Sequence, residues 1–219
     1  MSFNASRAVV SSVLLFMALA ATAQADSVFE YASYVINYSS QFSPANWSAA
    51  QALGAPNTLT YGDIATAWAP DQENGPGLDH SVPSYQFIEV GFTTPIYTDG
   101  VTIRETDGNG FVTRVDALDS SNVLHHVWSG IDPSLPGSPV DFLATWAKTG
   151  YLVTGVKITT DINHNLASWE EIDSIQLQGD LTPAAATPVP STLVMLSILL
   201  GIFSVVWVRR YTKGIAAAA

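Results

Sequence analysis

Two groups of residues in this sequence have the types and spacing that ligand chemistry needs, and the first suits a metal ion. Asp161, Asn163 and Asn165 place side-chain oxygens at alternate positions of one loop, and Glu171 follows in the next apolar segment. Oxygen ligands at positions one, three and five resemble the start of a calcium loop, although Leu166 stands where the EF-hand needs glycine. The sequence therefore predicts either a non-EF calcium site on these four residues or a turn that caps its own backbone.

The second group suits a sugar. Trp68 is followed by a polar, glycine-rich segment, residues 71–77, that contains Asp71 and Asn74. An indole ring offers a flat face on which sugar C–H groups stack, and loop side chains can bind the hydroxyls. Trp68, Asp71 and Asn74 are therefore candidate ligand-binding residues. The alternative for Trp68 is a core position, in which its truncation would cost stability instead of binding.

Motifs for catalysis are missing from the sequence. No serine stands in a G-x-S-x-G motif, and neither H-E-x-x-H nor a glycine-rich phosphate loop occurs. His125 and His126 are adjacent in a predicted strand, so they point to opposite faces and cannot share a metal. We therefore expect a protein that is not an enzyme. A hydrolase with two carboxylates stays open, because any two acidic residues can meet in the fold.

The charge of the chain is strongly one-sided. The 219 residues contain 19 Asp and Glu, 8 Lys and Arg, and no cysteine. All acidic residues lie in residues 26–180, where only Arg104, Arg114, Lys148 and Lys157 oppose them, a net charge of about −15. Such a surface repels phosphate backbones, so no nucleic-acid partner is expected. The lack of cysteine excludes disulfides and thiolate metal sites.

Short apolar stretches alternate with turn residues through the middle of the chain, which predicts an all-β domain over residues 26–180. One short helix is expected at residues 48–53, ended by Gly54. A strong turn signal occupies residues 107–110. The predicted strands are 85–92, 100–105, 111–118, 123–128, 152–160 and 172–178.

Six segments occur in an order that carries a family resemblance: residues 38–41, 48–56, 67–70, 87–92, 101–106 and 169–175. Together they resemble the galactose-binding-like jelly roll, in the branch of the pappalysin-type scarf domain and, more distantly, the discoidin-type domains. The resemblance covers about residues 30–180. It implies a β-sandwich of two antiparallel sheets that often holds one structural calcium. It also implies a domain that binds glycans or other surface ligands and does not catalyse.

Both ends of the chain predict export. Residues 1–25 have a basic Arg7, an apolar run and an Ala23-Gln24-Ala25 cleavage site, as in a signal peptide. After an Ala/Pro linker at 181–192, residues 193–208 are apolar and short enough to be a minimal membrane helix. The basic tail, residues 209–219, predicts a cytoplasmic C-terminus, with the domain on the outer side of the inner membrane.

The tail has a second feature, a proline motif before its apolar segment. Pro188-Val189-Pro190 is followed by Ser191 and Thr192, where the PEP-CTERM class of sorting tails has Glu and Pro. The architecture resembles that class, which implies an exosortase-type partner, removal of the tail and an association with exopolysaccharide at the cell surface or in the matrix. An ordinary permanent anchor is the alternative.

The sequence thus favours an exported, non-catalytic carbohydrate-binding protein. Two other classes stay open: a structural matrix protein without a specific ligand, and a secreted hydrolase. Binding to a panel of sugars would separate the first class from the second.

Overall fold

A computed structural model describes residues 27–71, 84–164, 168–184 and 201–202 of the protein. The predicted signal peptide, most of the linker, the apolar segment apart from residues 201–202, and the basic tail lie outside the described residues. None of the helices within the described ranges is long and apolar enough to span a membrane. The described part is an all-β domain, as predicted. It contains one 3-10 helix, Ala49–Ala52, and the strands β1 (Val28–Tyr31), β2 (Tyr34–Tyr38), β3 (Tyr85–Asp107), β4 (Val112–Asp119), β5 (Leu124–Ser129), β6 (Val140–Thr145), β7 (Val153–Asp161) and β8 (Glu171–Asp180).

The strands form two antiparallel sheets that share one long strand. The first sheet has the order β1-β8-β3-β6, and the second has the order β2-β3-β7-β4-β5. The N-terminal half of β3 pairs with β2 and β7, and its C-terminal half pairs with β8 and β6. One strand therefore crosses from one sheet of the sandwich to the other.

The continuity of β3 differs from the sequence prediction of two separate strands, 85–92 and 100–105. In the structure Pro95 is exposed, and the register between β3 and β7 shifts between Gly91 and Ile96. A shift of this kind accommodates a residue that cannot donate a ladder hydrogen bond. The proline thus marks the place where the strand changes sheets.

The core lies between the two sheets and follows the alternation seen in the sequence. Ile88, Val90 and Phe92 of β3 are at most 2% exposed, and so are Val101 and Ile103 further along the same strand. Successive side chains of a strand point to opposite faces, so these apolar residues share the face that is turned toward the core. Burial of this apolar set is the main source of stability of the domain.

Three strands, β1, β2 and β6, have no counterpart among the sequence predictions. Each lies at an edge of a sheet, pairs with one neighbour only and is at most six residues long. In β2 the side chains of Tyr34, Ile36 and Tyr38 are 39–48% exposed, so the strand lacks the alternation that reveals a half-buried strand. The predicted helix is shorter than expected, and Gly54 beyond it has a φ of +82°, which favours glycine.

A substitution of Gly179 in β8 tests how closely β8 pairs with β3. A Cβ atom at this position would overlap the carbonyl oxygen of Tyr97 and lie 2.7 Å from Cα of Thr98, both backbone atoms that cannot turn aside. We expect Gly179→Ala to lower the free energy of unfolding by about 1–3 kcal/mol, as overpacking does. Gly150→Ala is the matched control, since nothing lies within 4 Å of its added Cβ. Urea denaturation of both variants measures the difference, and equal midpoints would contradict this account of the pairing.

Candidate aromatic binding site

Three aromatic rings surround a small open cleft at one end of the sandwich. The cleft is lined by Phe42, Trp47, Asp63, Ala69 and Trp169 and has an open volume of about 200 Å³. The ring of Phe42 meets those of Trp47 and Trp169 edge to face, each with 5.3 Å between ring centroids. Phe42 is 47% exposed, so part of this aromatic surface faces solvent. We call this group of five residues the aromatic cleft.

Backbone hydrogen bonds hold the walls of the aromatic cleft together. The amide of Phe42 donates to the carbonyl of Ala69 at 3.0 Å, and the amide of Ala69 donates to the carbonyl of Trp47 at 3.2 Å. The amide of Trp47 donates in turn to the carbonyl of Ala65. Trp47 has a φ of +51°, a left-handed conformation that is unusual for a bulky residue and often occurs at binding sites. The loop after β2 is thus fastened to the segment before residue 70.

Trp68 lies under the aromatic cleft and does not line it. Its side chain is fully buried, and its Nε1 donates to the carbonyl of Ser40 at 3.1 Å. Its backbone forms a bridge with Ile172 of β8. The prediction of Trp68 as a stacking surface is therefore wrong, because neither face of a buried ring is open to a sugar. The alternative core position is the observed one.

The other two candidate sugar-binding residues have different outcomes. Asp71 is exposed, and its amide donates to Oγ of Ser40 at 3.0 Å, which places it beside the segment that Trp68 anchors. Asn74 lies outside the described residues. Asp71 does not line the aromatic cleft, although Ala69, two residues earlier, does.

The carboxyl group of Glu171 lies behind the aromatic cleft. Its Oε1 accepts a hydrogen bond from Nε1 of Trp47 at 2.9 Å, and the amide of Ile64 donates to the same carboxyl group at 3.2 Å. Burial, opposed by the Ile64 amide and assisted by the nearby carboxylates of Asp63 and Asp107, raises the pKa of Glu171 to about 8. Glu171, which is fully buried, therefore fixes the indole of Trp47 from behind the cleft.

The predicted calcium ligands do not form one group in the described structure. Oδ1 of Asp161 accepts the amides of Ser84 at 3.0 Å and Asn163 at 3.1 Å, which is the backbone-capping turn given above as the alternative. Glu171 is engaged by Trp47 and Ile64, and Asn165 lies outside the described residues. Within the described ranges, no three His, Asp or Glu side chains are grouped so as to hold a metal ion. Calcium binding stays a prediction.

A pair of buried carboxyl groups lies near the turn after β3. Oε2 of Glu105, whose side chain is fully buried, accepts the amide of Gly110 at 2.8 Å. Its carboxyl group faces Asp132, which accepts the amide of Ser134 at 2.9 Å. Burial, followed by the hydrogen bond and the charge of Asp132, raises the pKa of Glu105 to about 10. Glu105 therefore carries a proton at neutral pH and can donate it to Asp132.

Sequence reasoning missed Phe42 and Asp63 and gave Trp47 and Trp169 no special place among the tryptophans. Phe42 and Trp47 follow β2, Asp63 lies between the 3-10 helix and β3, and Trp169 precedes β8. The only local signal was an aromatic residue next to turn residues, as in Asn46-Trp47-Ser48, and that pattern does not reveal which rings meet.

The topology of two antiparallel sheets with almost no helix among the described residues defines the class as an all-β sandwich. Residues 20–186 match the family model of the C-terminal SD scarf domain of pappalysin-1, and the chain belongs to this family. The resemblance inferred from the six ordered segments is therefore confirmed. Among curated proteins, none matches the chain.

Solved structures with the same kind of fold share little sequence with this chain. Reduced XRCC1 bound to the DNA polymerase β catalytic domain has 15% identity and a TM-score of 0.51, over 69% of this chain and 99% of the other. The family 32 carbohydrate-binding module of C. perfringens NanJ, in complex with galactose, has 15% identity and a TM-score of 0.45. The match covers 69% of this chain and 99% of the other. The family 32 carbohydrate-binding module of Streptococcus pneumoniae EndoD has 8% identity and a TM-score of 0.42, over 67% of this chain and 94% of the other. At these sequence identities, the likeness to the XRCC1 structure supports a shared fold and nothing more.

Buried protonated carboxyl groups make the stability of the domain depend on pH, and a substitution of Glu105 tests this dependence. The pKa of such a carboxyl group is 4.5 in the unfolded chain and rises to about 10 in the folded protein. The group therefore contributes its full stabilisation of the folded protein below pH 4.5. That stability is lost as pH rises toward 10, with a slope of about 1.4 kcal/mol per pH unit for each such group. We expect a higher melting temperature near pH 5 than near pH 8. Glu105→Gln, which mimics the protonated form, should make this dependence shallower in thermal melts, and an unchanged or steeper dependence would contradict the assignment.

Proposed function

We propose that this protein is an exported, non-catalytic module that binds carbohydrate in the aromatic cleft. The observation that carries the proposal is the partly exposed group of rings formed by Phe42, Trp47 and Trp169, with the carboxyl groups of Asp63 and Glu171 beside it. Binding sites of this kind combine an apolar surface with a few polar groups that fix orientation. The scarf family supplies the scaffold, and the loops at its end supply the site.

The chemistry of the aromatic cleft suits a sugar ring better than an elongated apolar ligand. The C–H face of a pyranose covers an aromatic ring, while its hydroxyl groups need acceptors at the edge of that ring. Asp63 is exposed and lines the cleft, so its carboxylate can accept hydrogen bonds from such hydroxyls. The cleft is small and open to solvent, which favours contact with one sugar unit or a chain end over enclosure of a longer ligand.

The two carboxyl groups at the cleft argue against hydrolysis of a glycosidic bond. Asp63 lies within hydrogen-bonding reach of Glu171. A retaining glycosidase separates its two carboxyl groups by about 5–5.5 Å, and an inverting one by more. Two groups that bond to each other are too close to flank a scissile bond, so the arrangement favours binding over catalysis.

Substitutions of Phe42 and Phe29 form a matched pair that tests this proposal. Both are exposed, at 47% and 59%, but Phe29 lies on β1, away from the aromatic cleft. Phe42→Ala removes the ring that contacts both tryptophans, so we expect it to reduce retention on an array of neutral, acidic and amino oligosaccharides at least tenfold, the equivalent of about 1.4 kcal/mol. Phe29→Ala should retain wild-type binding. Equal binding by both variants, with unchanged melting temperatures, would refute the aromatic cleft as the site.

We also propose that the protein reaches the cell surface or the exopolysaccharide matrix through a sorting tail. The support is the order of a signal-like segment, a domain, a proline motif at residues 188–190, an apolar segment and a basic cluster. An exosortase-type enzyme of the inner membrane would process such a tail. A glycan-binding module in a polysaccharide matrix is surrounded by ligands of the class that it binds.

The tail can be tested by deletion. Removing residues 193–213 takes away the apolar segment and the basic residues that follow it, so we expect the shortened protein to be released in soluble form outside the inner membrane. Fractionation of cells that express both forms, followed by immunoblotting, measures this. Accumulation of the full-length chain in the cytosol would show that the ends do not direct export.

A further inference from the structure

The aromatic cleft is acidic and lacks a basic side chain to balance it. Asp63 lines it, and Asp107 is near enough to raise, together with Asp63, the pKa of Glu171 behind it. Because that pKa is raised to about 8, Glu171 is mostly protonated at neutral pH and adds little charge to the cleft. None of the described residues that line the cleft is Lys or Arg. The neighbouring segments 72–83 and 165–167 contain no Lys or Arg in the sequence either.

The four basic residues of the domain are occupied elsewhere. Three of them form ion pairs, Arg104 with Asp141, Arg114 with Asp116 and Lys148 with Asp180. The fourth, Lys157, lies 3.9 Å from the ring centroid of Phe87 and interacts with the carboxylate of Glu89. Among the residues that the structure describes, the negative potential at the aromatic cleft therefore has no basic partner, and it disfavours ligands that carry carboxylates or sulfates.

Aromatic rings and carboxylates together form the environment that binds an ammonium group. A cation is attracted to the face of an indole or phenyl ring, most strongly to that of tryptophan. The aromatic cleft has two indoles and one phenyl ring around a space that Asp63 borders. A carboxylate at the rim adds a charge-assisted hydrogen bond to an N–H donor.

We propose that the preferred ligand of the aromatic cleft is an amine-bearing sugar, a pyranose with a free, protonated amino group. This inference rests on the proposed carbohydrate-binding function and specifies its ligand class. The sugar ring covers the aromatic surface, and the ammonium group lies against Asp63 and the indole rings. An N-acetylated sugar of the same shape keeps the stacking contact but loses the charge. Uronic acids are repelled.

The test compares two ligands that differ only in this charge. Full-length protein is titrated with a β-1,4-linked glucosamine oligomer and with its fully N-acetylated counterpart, in mildly acidic buffer of low ionic strength. We expect the amine form to bind about tenfold more tightly, as a cation–π contact with a nearby carboxylate provides. Added salt should reduce this advantage, because it screens the charges at the partly exposed cleft.

One pair of variants isolates the carboxylate. Asp63→Asn keeps the shape of the side chain and removes its charge, so it should abolish most of the preference for the amine form while binding of the acetylated form is unchanged. Asp141→Asn is the control, because it removes one charge from an exposed residue of β6 that pairs with Arg104, and it should leave the preference intact.

The outcomes separate the inference from the proposed function. Equal or tighter binding of the acetylated oligomer, lost in Phe42→Ala, would preserve the carbohydrate site and overturn the amine preference. Binding of neither oligomer, nor of any sugar on the array, would overturn both. Spermidine, a polyamine without a sugar ring, is the third ligand. If it binds as tightly as the glucosamine oligomer, the site recognises ammonium groups in general, and the assignment to a sugar is wrong.

Discussion

The burial of Trp68 is the contact on which the candidate site depends. Its indole N–H donates to the carbonyl of Ser40, and its backbone pairs with Ile172 of β8. The ring thereby joins the segment after β2, the segment before β3 and the last strand into one rigid end of the sandwich. Burying a ring of this size contributes several kcal/mol, since truncating a core tryptophan costs about 3–5 kcal/mol. The loops that present Phe42 and Trp47 are thus stabilised by the core beneath them.

Buried carboxyl groups are the second constraint on this end of the domain. Glu105, Glu170, Glu171 and Asp173 are fully buried, in a domain with few basic residues to pair with them. The structure meets their cost in two ways. Asp173 accepts the amides of Asn57 and Thr58 and the hydroxyl of Thr58, whereas burial raises the pKa values of the three glutamates well above the usual range.

These two constraints explain how a stable scaffold carries an acidic candidate site. Hydrogen bonds from backbone amides fix the carboxyl groups that shape the loops, so the loops need no basic side chains. Three of the four basic residues of the domain lie on strands, where Arg114 and Lys157 are on neighbouring strands β4 and β7. The aromatic cleft is left with the carboxylate of Asp63 and partly exposed rings, the combination on which the proposed ligand preference rests.

The sequence by itself determined the all-β class, the alternation that buries Ile88, Val90 and Phe92, and the family, because these follow from local period and from the order of short segments. The turn at residues 107–110 was also readable, since Gly108 and Gly110 have the positive φ values that such a turn requires. Only the tertiary structure decided that Pro95 lies within one strand crossing two sheets. It also decided which tryptophans are buried.

The aromatic cleft itself depends on contacts between residues far apart in the chain. Phe42 and Trp169 meet because β8 and the segment after β2 are joined through Trp68, and no local pattern encodes that meeting. For the same reason Trp68 is fully buried, whereas Trp169 is only partly buried and lines the cleft. Burial of a side chain depends on which elements become its neighbours, and those neighbours are set by the packing of the whole domain.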